Sequence, residues 1–266
     1  MMIKNPYHGK YIMGEGEDGA GKTTQMKLLE AKIKAAGLPV LYVKEPSRNN
    51  VFGRLAYAIY SYESERDRTE GSVSECLQAP ELALMKNEIG AEGNERVLHF
   101  ESIARDFLAG KDTELPTLLQ LSMIFARREL IRAVVMPALE KGVNVLSDRG
   151  FFSTLCYGKS EGLDWRELLR LHYEILGQYF IVPDLTFIFD IEIEEALRRK
   201  LKQQEGRQDH FDRIELMLKI REAYLALIDE PELAPAMRIQ KIDGAPSEAQ
   251  VQKVVWGYAS ELLGVR

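Results

Sequence analysis

Short apolar runs alternate along the chain with longer stretches whose apolar residues recur every three or four positions. The runs Tyr11–Gly14, Val40–Val43, Val143–Leu146, Leu185–Ile191 and Arg238–Ile242 are too short for helices and read as strands. Thr23–Ala36, Thr117–Lys141, Asp164–Gly177, Glu192–Gln203, Phe211–Ile228 and Pro246–Leu263 carry helical spacing. Strands alternating with amphipathic helices form βαβ units, with a parallel sheet between helical layers. Leu185–Phe189 is apolar enough to be covered on both faces, as parallel strands are.

One stretch breaks the alternation. Residues 63–114 hold thirteen Asp and Glu against six Lys and Arg, a net charge of −7, while the rest of the chain is close to +1. Leu77–Met85 and Val97–Leu108 can form amphipathic helices there, broken at Gly90–Gly93. The chain is therefore expected to be one domain over 1–266, with 63–114 as an acidic helical insertion whose removal leaves a folded core.

Composition mainly excludes. The 266 residues are 45% apolar and 29% charged, an ordinary globular mixture. A net charge of −6 gives no basic field for a nucleic-acid polymer or an anionic membrane. Cys76 and Cys156 lack metal or redox spacing, and the four histidines, expected at the surface or in loops, show no ligand spacing. No run approaches the ~20 apolar residues of a membrane span, and Met1–Lys10 has no apolar signal core, so the cytoplasm is the expected location.

The candidate chemistry begins at Gly16-Glu17-Asp18-Gly19-Ala20-Gly21-Lys22-Thr23, followed by Thr24 and Gln25. The octapeptide fits G-x-x-x-x-G-K-[ST] and lies between a strand and a helix, where a phosphate loop must lie. Its glycines let successive amides turn towards phosphate oxygens, and the helix N-terminus adds a positive field. Lys22 is placed to reach the β and γ phosphates of a nucleoside triphosphate, and Thr23 to bind Mg²⁺. Gly14-x-Gly16-x-x-Gly19 also fits a dinucleotide fingerprint, with Glu45 as its ribose acid, but that pattern leaves Gly21-Lys22-Thr23 unexplained.

These residues resemble the phosphate loop of thymidylate kinases, and further matches follow in the family's order. Lys44-Glu45-Pro46 is similar to its Arg-Glu-Pro turn. Arg127 precedes Met136-Pro137-Ala138-Leu139-Glu140-Lys141-Gly142, Asp148-Arg149 ends a strand with Ser153 and Tyr157 beyond it, and Pro183-Asp184-Leu185-Thr186 and Asp212-Arg213-Ile214-Glu215 follow. The resemblance covers about 10–62 and 115–264. It implies a P-loop three-layer α/β/α fold with a five-stranded parallel sheet, a lid near 203–210, and ATP with Mg²⁺. It also implies a nucleoside monophosphate as acceptor, thymidylate above others, and a homodimer.

Individual residues acquire expected roles. Gly16, Asp18, Gly19, Ala20, Gly21, Lys22, Thr23 and Thr24 form the triphosphate site. Asp148 faces Thr23 across the metal, and Arg149 grips the acceptor phosphate with a forked guanidinium. The resemblance places Glu45, Met123, Arg127, Ser153 and Tyr157 around the acceptor, and Arg128 on the surface or towards the lid. Arg198, Arg199, Lys200, Lys202 and Arg207 make a basic lid, where Arg207, then Arg199, is the candidate transition-state contact. Three positions depart from the family: Met123 replaces a stacking phenylalanine, Gly158 replaces the glutamine of Tyr-Gln-Gly, and Ser47-Arg48 replaces Gly-Gly. Two alternatives stay open: a kinase for another nucleoside monophosphate or a nucleoside, and a nucleotide-binding regulatory module whose acceptor site has decayed.

Overall fold

A computed structural model describes residues 2–60, 66–111, 114–203, 211–233 and 237–265. The strands are β1 (Ile3–Lys4), β2 (Tyr11–Gly16), β3 (Val40–Lys44), β4 (Asn144–Asp148), β5 (Ile181–Val182), β6 (Leu185–Asp190) and β7 (Ile239–Asp243). Five form a parallel sheet in the order β3-β4-β2-β6-β7, and β1 pairs with β5 apart from it. The register sets Gly14 and Lys44 on either side of Asp148, so three carboxyl ends meet at one edge. Open α/β sheets bind ligands at that edge.

The strands are apolar on both faces because both are covered. Tyr11, Met13, Val145 and Ile188 enter one core, whereas Ile12, Leu146, Phe187 and Phe189 enter the other. The second core is closed by Met26, Leu29 and Ile33 of α1 (Lys22–Ala35) and Val251, Val255 and Ala259 of α12 (Glu248–Leu263). The first and larger core takes α2 (Val51–Tyr60), α6 (Leu115–Leu130), α8 (Phe151–Ser160), α9 (Trp165–Leu176) and α11 (Phe211–Ile228). Another helix, α10 (Ile193–Gln203), follows β6 and adds Ile193 and Ala196 to the second core.

Local signals set several boundaries. The Asp164 side chain accepts from the Arg166 amide at 3.0 Å to open α9, and Ser247 with Gln250 forms a capping box on α12. Three helices escape the sequence reading: α2 and α8, which follow β3 and β4 in the chain, and α3 (Arg66–Gln78). The expected helix Thr117–Lys141 is interrupted. After α6 the backbone widens into a π-helical turn at Ile131–Val135 before α7 (Met136–Glu140), and Pro137, with no amide hydrogen to donate, lies in the turn that follows.

The acidic stretch forms α3 (Arg66–Gln78), α4 (Pro80–Glu88) and α5 (Ala91–Leu108). Leu77 therefore ends a helix instead of opening one, because Pro80 favours a helix start. The break falls at Ile89–Gly90, and Gly93 lies inside α5. A Cβ on Gly93 would stand 2.5 Å from the Glu174 carbonyl oxygen, so only glycine lets α5 approach α9 this closely. Val73, Cys76, Phe100, Ala104 and Phe107 from this stretch are buried in the larger core. Phe100 meets Phe52 and Phe125 edge-on at ring separations of 6.2 and 5.0 Å.

A stretch that fills the core cannot be trimmed freely. Phe100→Ala should cost about 3–5 kcal/mol, and removal of 63–114 should abolish cooperative urea unfolding. A deletion variant with the wild-type unfolding midpoint would show that the core closes without these helices.

Candidate active site

The phosphate loop leaves β2 at Gly16 and enters α1 at Lys22. Gly19 and Gly21 adopt φ values of 94° and 86°, left-handed backbone that other residues reach only with strain. Ala20 is buried at the crest, and Thr24 is exposed on the first helical turn. Lys22 is buried, and its Nζ lies 3.6 Å from Asp148 Oδ1. Burial, then the neighbouring Arg149 charge, lowers the ammonium pKa to about 8 against the opposing pull of Asp148.

Asp148 ends β4 and is fully buried. Thr23 Oγ1 donates to its Oδ2 at 2.6 Å, and Tyr42 donates to the same oxygen at 2.9 Å. Burial acts to raise this carboxyl pKa, but Lys22 and the two hydroxyls together hold it below its ordinary value. Oδ1 is buried with no hydrogen-bond partner. A threonine hydroxyl beside a charged carboxylate with one oxygen free of hydrogen bonds is a hard-oxygen set that suits Mg²⁺. Among the described residues no group of three or more His, Cys, Asp or Glu could hold a metal by itself.

Arg149 follows Asp148 with φ 77°, a strained conformation for a side-chain-bearing residue. Its Nη1 donates to the Gly16 carbonyl at 3.0 Å and to Ser153 at 3.1 Å. Nη2 donates to Asp18 at 2.5 Å and to the Tyr157 hydroxyl at 3.0 Å. Burial opposes its charge, but Tyr157 and Asp18 lead the groups that keep its pKa well above the usual value. Behind it lies a buried cluster that sequence reasoning missed. Glu15 accepts from Ser153 Oγ at 2.6 Å and from Tyr224 at 2.9 Å, and burial pushes its carboxyl pKa up.

A cavity of about 250 Å³ opens beside Arg149. Glu45, Met123, Arg127, Arg149, Ser153 and Tyr157 all line it, together with Asp18 of the phosphate loop. Gln120 joins them, its Nε2 donating to Glu161 at 3.1 Å. The expected acceptor residues, separated by more than a hundred positions, thus share one cavity next to the phosphate loop.

Glu45 is held by Arg127, whose Nε donates to Oε2 at 2.6 Å. Other expectations need correction. Arg128 is fully buried, not superficial: it donates to Glu88 at 2.6 Å, to Glu129 at 2.9 Å and to the Ile175 carbonyl at 3.2 Å. His172 is likewise fully buried, inside α9. A Cβ on Gly158 would lie 2.3 Å from Leu168, so this position faces the α8–α9 contact and not the cavity. Arg199 keeps its expected place beside the phosphate loop, 3.9 Å from the Cβ position of Gly21, with one N–H each on Glu195, Gly244 and Ala245. The lid near 203–210, with Arg207, and the side chains of Lys200, Lys202, Asp212 and Arg213 lie outside the described residues.

A family model described as thymidylate kinase matches residues 15–76 and 95–253. The chain belongs to the thymidylate kinase family. A probable thymidylate kinase of Pyrococcus horikoshii is 31% identical over 233 residues, covering 87% of each chain. A thymidylate kinase of Pseudomonas fluorescens is 30% identical over 258 residues, covering 96% of this chain and 97% of the relative. The one internal stretch without a match in the thymidylate kinase model is thus 77–94, much shorter than 63–114. The family is one of phosphotransferases acting on nucleoside monophosphates. Among the described residues, no helix of this kinase is long and apolar enough to cross a membrane.

Burial, then the Arg127 charge, pushes the His172 imidazole well below its ordinary value of 6.5. Below that pH the unfolded chain gains a proton that the folded chain refuses. Stabilisation from this group is therefore full above 6.5 and lost as pH falls, at up to about 1.4 kcal/mol per unit. Urea unfolding between about pH 7 and pH 5.5 should show a smaller acid loss for His172→Gln than for the wild type. Equal losses would show that this imidazole titrates normally.

Proposed function

We propose that this chain transfers the γ-phosphoryl group of ATP to thymidylate, giving ADP and thymidine diphosphate. The observation that carries this reading is Arg149, whose guanidinium joins the phosphate loop at Gly16 and Asp18 to the cavity wall at Ser153 and Tyr157. One side chain therefore touches both the loop for the donor and the pocket for the acceptor. An acceptor phosphate held there meets the γ-phosphate without crossing solvent.

Gly16 to Thr24 would cradle the triphosphate, with Lys22 on its β and γ oxygens. Thr23 and Asp148 would hold Mg²⁺, whose charge would offset that of the phosphates. No general base is required, because an acceptor phosphate is already an anionic nucleophile. Alignment and fixed charge then carry the catalysis. Arg149 would grip the acceptor phosphate, Arg127 and Met123 would meet the base, and the Tyr157 ring would stand against a ribose 2′-hydroxyl. Arg207, with Arg199 second, is the proposed lid contact to the transferring group. The work is placed in the cytoplasm, by a homodimer; the family resemblance supports the assembly.

An ADP-release assay with ATP and Mg²⁺ against a panel of nucleoside monophosphates and nucleosides tests the reading. Thymidylate should be the strongly preferred acceptor, and chelation of Mg²⁺ should stop turnover. Preference for another monophosphate would reassign the substrate, and ATP turnover indifferent to every acceptor would sink the kinase reading. Lys22→Ala should lower kcat by about 10²–10³-fold or more with an unchanged melting temperature. Arg149→Ala should raise the thymidylate KM about 10- to 100-fold while the ATP KM moves little. Equal changes in the two KM values would remove Arg149 from the acceptor site.

A further inference from the structure

We infer that His172, a residue outside the cavity, is a positioning residue for Arg127 and so for acceptor binding. This rests on the reading of the cavity as the acceptor site. The geometry fixes the state of the imidazole. Nδ1 lies 2.7 Å from the Leu168 carbonyl oxygen, one turn back on α9. A carbonyl can only accept, so Nδ1 carries the proton. Nε2 then presents a bare lone pair, and it lies 2.6 Å from Arg127 Nη1, which can only donate. Both partners demand the same neutral tautomer. Phe151 and Phe180 hold the ring at centroid separations of 6.0 and 5.6 Å.

The consequence lies in how Arg127 is used. A guanidinium has five N–H groups. Here Nε–H donates to Glu45, the two on Nη1 to Thr154 and His172, and one on Nη2 to the Gly150 carbonyl. One N–H remains for a ligand in the cavity that Arg127 lines. Its direction is set by four anchors, from the turn after β3, the turn after β4, α8 and α9. Among the described cavity-lining residues none belongs to α9, so that helix acts on Arg127 through His172. Without the imidazole, Nη1 keeps a buried, unpaired N–H and the planar group can swing about the Glu45 bond.

Three substitutions separate the hydrogen bond from the ring. His172→Phe keeps the aromatic volume and removes the acceptor. His172→Asn leaves an amide near Leu168, too short to reach Arg127. His172→Gln puts a carbonyl oxygen where Nε2 stood. Steady-state kinetics with ATP and Mg²⁺ should show a thymidylate KM raised about tenfold or more for H172F and H172N. The ATP KM and kcat should stay within about threefold, and H172Q should return the thymidylate KM to near wild type. Nitrogen-15 spectra of histidine-labelled wild-type enzyme should show the neutral Nδ1–H tautomer at His172.

An unchanged thymidylate KM in H172F, equal rises in both KM values, or H172Q behaving like H172F would overturn the inference. An Nε2–H tautomer would do the same. If H172F and H172N do not fold, H172Q and the tautomer decide the matter. A wild-type enzyme without thymidylate-dependent turnover would instead remove the acceptor reading, and this inference with it.

Discussion

At the end of β4 two consecutive residues of opposite charge have to serve opposite sides of one crevice. In a regular strand, successive side chains point to opposite faces, which would bury one of them in a helical layer. The backbone at Arg149 leaves the strand instead, with φ 77°. Asp148 stays under the phosphate loop, bonded to Thr23 and Tyr42, while Arg149 turns over the loop towards the cavity. Everything else in the site is arranged around that turn. Glu15 and Tyr224 fix Ser153, Ser153 and Tyr157 fix Arg149, and Lys22 and Arg149, both cationic, are kept apart by Asp148 and Asp18.

The site also depends on buried charge. Arg127 and Arg128 are neighbours in sequence, and both lie inside the protein. Adjacent helical residues diverge by roughly 100°, so each needs its own set of partners. Arg127 finds Glu45, Thr154 and His172, and Arg128 finds Glu88, Glu129 and the ring of Tyr179. Burying an unpaired guanidinium is prohibitive, which explains why carboxylates from the turn after β3 and from α4 converge on this part of α6. The acidic character of residues 63–114 is in part this counter-charge, since Glu88 belongs to it.

What could be read from sequence was local. The phosphate loop is eight contiguous residues, and Asp148-Arg149 closes a strand, so motif and strand pattern together placed both at the same sheet edge. Helix starts at Asp164 and Ser247 carried their own caps. The failures around the site were long-range. Nothing near His172 announces Arg127, 45 positions away, and a histidine on a helix carries no sign of its burial. Net charge concealed the core role of Val73, Phe100 and Phe107, because the acidic residues that dominate the count lie between the apolar ones. Gly158 read as a missing glutamine, whereas its closeness to Leu168 makes it a packing position.

The contact at Gly93 bears on how such a chain diverges over time. The stretch 77–94 lies outside the family match, yet Glu88 and Gly93 within it are tied to the protein's core. With Gly93 pressed on the Glu174 carbonyl oxygen, any bulkier residue forces α5 off α9, the helix that carries His172. Divergent copies of this gene are therefore expected to keep the glycine, because the packing it permits reaches through α9 to the lineage's catalytic core.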